Sequence, residues 1–285
     1  MIGIGIAVVF VLLVLFMRGG AMTALFDAHA LLVVVGGSFA AAAITFPIAT
    51  MLRMPRMVFL AGAGHQLDLP TVAAQLIKAA DRVRMNGRVA AMGGTRDVDD
   101  PFMRTGLQFV SEGFDPAEIR QLLEAELTAI RARHRANFTL FESLGGYAPV
   151  FGIFGTVEAM VQILGNLSTP EKLGPEIGLA MVATLYGVGF ANLMFLPIGA
   201  RLKKLSEEEL RVRQLMIDVI VSIQEGAKPE FIRERLRVSL PPDLRRSIAV
   251  KSRVKAKKVA QPATAPLQQQ PSDDEMYATI PEEQY

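Results

Sequence analysis

Two long apolar stretches of this 285-residue chain carry side chains that a helix serving only as an anchor would not need. Thr156, Glu158 and Gln162 stand in the first, 144–164, and Thr184, Tyr186 and Asn192 in the second, 177–200. Backbone polar groups satisfy one another inside a helix, but an ionisable carboxyl at membrane depth costs several kcal/mol unless it is protonated, paired or wetted. Glu158 therefore needs a compensating group in the assembly, and with Gln162 one turn on it forms an intramembrane polar pair. No Walker loop, nucleophile triad or metal-ligand spacing occurs, so neither enzymatic catalysis nor a cofactor is expected. The lack of Cys excludes disulfides, zinc–thiolate sites and a Cys nucleophile. His29, His65 and His134 lie far apart in unlike contexts, so each reads as an ordinary surface or interface residue and no metal cluster is expected. No nucleic-acid partner is expected either.

The elements that must hold these side chains are membrane-crossing helices. Each stretch can span roughly 30 Å of hydrocarbon at about 1.5 Å per helical residue, and the second carries no charge. The link between them, 165–176, contains two Pro and two Gly and turns the chain in water. Ala183, Gly187 and Ala191 recur every four residues, a seam of small side chains that admits a close neighbour. Pro149, Gly152, Thr156, Ala159 and Ile163 share one face of the other helix, with a hydroxyl at its centre. Glu158 stands about 200° from Thr156, on the basis of 100° per residue, and so points to a neighbouring helix or subunit.

With 51% hydrophobic and 20% charged residues and a mean hydropathy of +0.33, the chain is too apolar for a soluble protein of its size. Residues 2–17 are an unbroken apolar run without the basic start or cleavage site of a secretory signal, hence a retained first span. Residues 31–50 make the second, with Gly36, Gly37, Ser38 and 40–43 as a packing face. The fold class is thus an all-α membrane protein with four transmembrane helices and a helical cytoplasmic domain. Its expected order is a first hairpin (1–50), a cytoplasmic domain (51–143), a second hairpin (144–200), cytoplasmic helices (201–240) and a disordered tail (241–285).

Lys and Arg set the orientation: twelve lie in 51–143 and sixteen after Ala200, against only Arg18 and Lys172 in the short hairpin loops. Both termini and the large loop are therefore cytoplasmic.

Within the loop, 70–92 has a helical apolar period that runs out at Gly93-Gly94, and Asp100-Pro101 opens a second helix closed by Gly113. Asp115-Pro116-Ala117-Glu118 is an N-cap, an N1 proline and an N3 carboxylate, and Ile119, Leu122, Leu123, Leu127 and Ile130 follow as one apolar face. That helix can run on into the third span, with Gly145-Gly146 and Pro149 as its expected bend. The fourth span continues through Leu205, Val212, Leu215 and Val219 to Gly226, and 229–240 forms a short charged helix. The tail passes from basic to low-complexity to acidic and cannot build a core. Its expected role is solubilising, with contact to anionic lipid as the alternative.

This layout, together with APVFGIFGTV (148–157), ATLYGVGFANLMFLPIGARL (183–202), DPAEIRQLLEAEL and SIQEGAKPEFIRERL, resembles the MotA/PomA family of flagellar motor stator subunits over roughly residues 1–240. The resemblance implies a homopentameric ring around two copies of a single-span MotB-like partner in the inner membrane. The partner's carboxylate takes up the permeating ion, and the cytoplasmic loop pushes on the rotor protein FliG. It places pore-facing hydroxyls at Thr156 and Thr184 and the coupling prolines at Pro149 and Pro197. From the residues alone these prolines could equally end helices, and the threonines could bond back to their own helix.

The family's rotor contacts map to Arg84, three residues before Gly87, with Arg82 and Arg88 beside it on the same helix. Its acidic counterpart position is Met92 here, and Asp97, Asp99 and Asp100 are the nearest acids. Sodium-driven members carry paired threonines where this chain has Ala183-Thr184, which implies H⁺ as the ion. TolQ/ExbB energisers share the Gly-Thr of the third span, so an energiser subunit or a non-motor membrane scaffold remains the alternative.

Overall fold

The structure, a computed structural model, describes residues 26–64, 67–91, 98, 100–165 and 170–239. The expected first span, the tail, His65 and Met92 lie outside the described residues. So do Asp97 and Asp99. The architecture below is that of the unit ending at Ser239.

All regular structure among the described residues is helical. Helix α1 (Ala28–Thr45) passes through a π turn at Leu32–Gly36 and stops at Phe46-Pro47. Short α2 (Ile48–Met51) and α3 (Met54–Ala63) follow, then α4 (Leu69–Asn86), α5 (Pro101–Glu112) and α6 (Pro116–Gly165). Helix α7 (Pro170–Phe190) leads through a second π turn, Ala191–Phe195, into α8 (Leu196–Gln224), and α9 (Pro229–Ser239) closes the unit. Among the described residues, three helical stretches have the length and apolarity to cross a membrane: Ala28–Thr45, Pro116–Gly165 and Leu173–Gln224.

Helix α6 is the spine. Its 50 residues run unbroken for about 75 Å, and it packs along α7 and, past the π turn, along α8. Its start is built as its residue types dictate: the Asp115 amide donates to Glu118 Oε2 at 3.0 Å, and the Ile119 amide to the Asp115 carbonyl at 3.0 Å. In its membrane half Leu140, Phe141, Leu144 and Ala148 are buried with Phe195 of the second π turn, Ile198 and Leu202 of α8, and Met54, Met57 and Ala61 of α3. Its N-terminal half buries Ile119, Leu123, Leu127 and Ile130, and a second core forms there with Phe102, Met103 and Leu107 of α5 and Met216, Ile217 and Ile220 of α8. Gly106 admits the close approach of α5, since a Cβ there would lie 2.6 Å from Ile220 Cδ1.

Four expectations change. The second span is helical over Ala28–Thr45 rather than 31–50, because Pro47 lacks the amide that would continue the helix and holds Phe46 extended. Helix α4 ends at Asn86, not near Met92, because Gly87 takes a φ of +80° and breaks the ladder; a 3₁₀ turn covers 88–91. Leu122 is exposed, since the face of α6 that meets α5 and α8 runs through Leu123 and Leu127 instead. The spine runs on into the third span as expected, with Pro149 inside the continuous α6. Finally, α7 starts at Pro170, inside the expected loop, because proline suits a first helical turn.

Candidate ion path

In the membrane half α6 and α7 approach backbone to backbone. A Cβ built on Gly187 would lie 2.6 Å from the Ala148 carbonyl oxygen and 2.9 Å from Gly152 Cα, so only a hydrogen fits there. Ala183 extends the contact, lying against Gly155. This is the small-residue seam read from the sequence, and it fixes the separation at which the hydroxyls beyond it can meet.

They do meet: Thr156 Oγ1 and Thr184 Oγ1 are 2.5 Å apart. Thr156 Oγ1 also lies 3.1 Å from the carbonyl oxygens of Gly152, in its own helix, and Ala180, across the interface. One hydroxyl has one proton to donate, so when Thr184 donates to Thr156, the Thr156 proton goes to one of the two carbonyls. The back-bond expected of a membrane threonine and the cross-helix pair therefore exist together.

The prolines flank the same interface. Leu196, just before Pro197, fills the space at Gly145, where a Cβ would lie 2.5 Å from Leu196 Cδ2, one turn before Pro149. The π turn before Pro197 has a local cause. Pro197 has no amide to donate, and in the widened turn the Leu196 amide bonds to the Ala191 carbonyl five residues back. Asn192 does not reach the pair; it donates to the Val188 carbonyl of its own helix at 2.9 Å.

Glu158 points away from the threonines, as its helical angle requires. Its Oε1 lies 3.6 Å from His29 Nε2 of α1 and accepts from Gln162 Nε2 at 3.1 Å. His29 and Gln162 line a cavity of about 290 Å³, with Asp27 and Glu176 also in its wall and Gly155, Ala180 and Ala183 among its small-residue lining. Tyr186 ties the region together, its hydroxyl accepting from the Asp27 amide at 3.2 Å.

The arginines form a separate region at the end of α4. Arg84 and Arg88 are exposed and Arg82 is half-buried. Arg88 lies beyond Gly87 in the 3₁₀ turn and so is not on the helix that carries the other two. Asp100 is no surface acid: it is 8% exposed, caps α5 by accepting from the Met103 amide at 2.9 Å, and lies 3.9 Å from Arg213.

A further cluster carries no sequence signal because its members come from distant segments. His134 Nδ1 lies 3.1 Å from Ser206 Oγ and its Nε2 4.0 Å from Glu209, which pairs with Arg213 at 2.5 Å. These groups line a cavity of about 470 Å³ beside α4 and α5. Burial pushes the His134 pKa down, Glu209 partly opposes this, and Arg213 and Arg133 add to the depression.

Residues 95–215 match the MotA/TolQ/ExbB proton channel family. Motility protein A of Bacillus subtilis is 30% identical over 85% of this chain and 90% of its own length. YtxD of the same organism, an uncharacterised protein, is 32% identical over 74% of this chain and 78% of its own. The chain belongs to the MotA/PomA family. A solved structure of the flagellar MotAB stator complex from Bacillus subtilis superposes with a TM-score of 0.78 at 29% identity, covering 90% of this chain and 97% of that one. The family match over 95–215 contains Pro149, Thr156, Thr184 and Pro197, whereas Arg82, Arg84 and Arg88 precede it. Family membership and three span-length apolar helices make this a membrane protein.

Proposed function

We propose that the chain is a flagellar motor stator subunit that conducts H⁺ with a MotB-like partner and converts the flow into torque. The observation that carries this reading is the continuity of α6. One continuous helix bears Thr156 in the membrane and the buried Ile119–Ile130 face of the cytoplasmic core, so a shift at the hydroxyl pair passes along a single element to that core. Thr156 and Thr184 line the ion path, and Pro149 and Pro197 couple it to the cytoplasmic helices. Five copies form a ring around the partner, each with four spans, the first at 2–17, and with both termini in the cytoplasm of the bacterial inner membrane. Arg84, supported by Arg82 and Arg88, engages the rotor protein FliG, since these are exposed or half-exposed cations at the end of a helix.

The choice of H⁺ is supported by packing at the seam. Ala183 is 2% exposed, packs against Gly155 and carries no side-chain oxygen, so each subunit offers one hydroxyl fewer beside Thr184 to help ligate a dehydrated sodium ion. The test is expression in a motile host lacking its own stators, with and without the MotB-like partner. Rotation and proton influx only when both chains are present, with speed that follows external pH and ignores Na⁺ at fixed proton-motive force, is the expected result. Ion leak from this chain alone overturns the partner requirement, and speed that follows Na⁺ overturns the ion. Energising of a periplasm-spanning TonB-like protein without rotation would instead assign it to the TolQ/ExbB side of the family.

A further inference from the structure

Glu158 is not used by the mechanism above, yet it is the charged side chain nearest the threonine pair along α6 and it is not isolated. It holds Gln162 at 3.1 Å and His29 at 3.6 Å, and its side chain is 32% exposed. Both partners belong to the wall of the 290 Å³ cavity. That wall has two chemically different parts. One is polar: Asp27, His29 and Glu176, with Glu158 at its edge through its two partners. The other is Gly155, Ala180 and Ala183. Gly155 directly precedes Thr156, Ala183 directly precedes Thr184, and the Ala180 carbonyl lies 3.1 Å from Thr156 Oγ1. The cavity therefore reaches from a polar mouth to the backs of the residues that hold the hydroxyl pair.

We infer that this cavity is an antechamber in each subunit that collects a hydrated monovalent cation, hydronium first, from outside the membrane, and that Glu158 is a positioning residue for its entry. The inference rests on the stator reading and the orientation given above. Around the mouth the described residues place three carboxylates, Asp27, Glu158 and Glu176, against one imidazole, His29. A cleft of one sign between low-dielectric walls focuses the field and raises the local concentration of counter-ions. The pairing also gives an acidic side chain at this depth its polar partners: Gln162 donates to it and His29 faces it. Glu158 does not bind the ion in the conduction step; it sets the concentration from which that step draws.

The chain has no cysteine, which permits a direct test. Ala159→Cys places a thiol in the cavity wall of the full chain assembled with its partner, and intact cells are treated with membrane-impermeant thiosulfonates of either charge. The expected result is labelling by the cationic reagent about tenfold faster than by the anionic one, with the ratio falling at least about threefold in Ala159→Cys/Glu158→Gln. Glu112→Gln, at the cytoplasmic end of α5, should leave the ratio unchanged. Because the ratio compares two reagents on one sample, poor expression of a variant cancels. No labelling from outside, or equal rates insensitive to Glu158→Gln, overturns the inference even if the protein drives rotation. In the rotation assay, Glu158→Gln should raise the half-saturating external cation concentration while leaving speed at saturation unchanged. Reading speed against external pH and against external Na⁺ separates hydronium from sodium. A purely structural role would lower speed equally at all concentrations and would likewise overturn the inference.

Discussion

Gly187 of α7 packs directly onto the α6 backbone at Gly152, with no room for a Cβ on Gly187 and only a tight fit for one on Gly152. Gly187→Ala would force a methyl to 2.6 Å from the Ala148 carbonyl oxygen, which is backbone and cannot swing aside. The expected cost is about 1–3 kcal/mol, read as a lower thermal midpoint in detergent and less protein in membranes. Gly189→Ala in the same helix, where a Cβ meets nothing within 4 Å of this chain, should not lower the midpoint.

The hydroxyl pair should behave as one unit. Thr156→Val and Thr184→Val each remove the same hydrogen bond, so the double variant should lose less stability than the two singles added, with a coupling of about 1 kcal/mol. Swimming should collapse in either single Val variant while membrane levels stay within about twofold, and Thr156→Ser should restore most of it. Full additivity in the unfolding experiment would show that the two hydroxyls do not meet.

Arg84 is exposed at the end of α4, so it adds little to folding, whereas a charge facing a rotor charge affects engagement and is screened by salt. Arg84→Glu should leave protein levels unchanged and reduce swimming, and combined reversal of Arg82, Arg84 and Arg88 should reduce it further. Unchanged motility in the triple variant would move the rotor contact elsewhere.

The depressed pKa of His134 makes the packing of α6 on α8 acid-sensitive. The unfolded chain takes up this proton near the ordinary value of 6.5, and the folded chain resists it until lower pH. The unfolded state therefore binds more protons between those two values, and stability falls as pH drops through that window. His134→Gln, which can keep a hydrogen bond to Ser206, should remove this part of the loss. Thermal midpoints at pH 7.5 and 5.5 should lie closer together in the variant than in the parent, and an unchanged gap would exclude His134 as the cause.

Local chemistry made much of this protein legible in its sequence. Apolar length marks the membrane stretches. Asp115-Pro116 with Glu118 starts α6, Asp100-Pro101 starts α5, and the spacing of Ala183, Gly187 and Ala191 marks the seam, because each signal is complete within one or two helical turns. The helical angle alone turns Glu158 away from Thr156. What needed the tertiary structure is whatever depends on a second segment. Leu122 or Leu123 can each lie on an apolar stripe, and only docking against α5 and α8 selects Leu123. Gly87 can be tolerated within a helix or can end it, and its positive φ ends it, which separates Arg88 from Arg82 and Arg84. His29 beside Glu158, and His134 beside Ser206 and Glu209, are pairs brought together only by helix packing. No local pattern encodes them, because neither partner alters the propensity or periodicity of the other's helix.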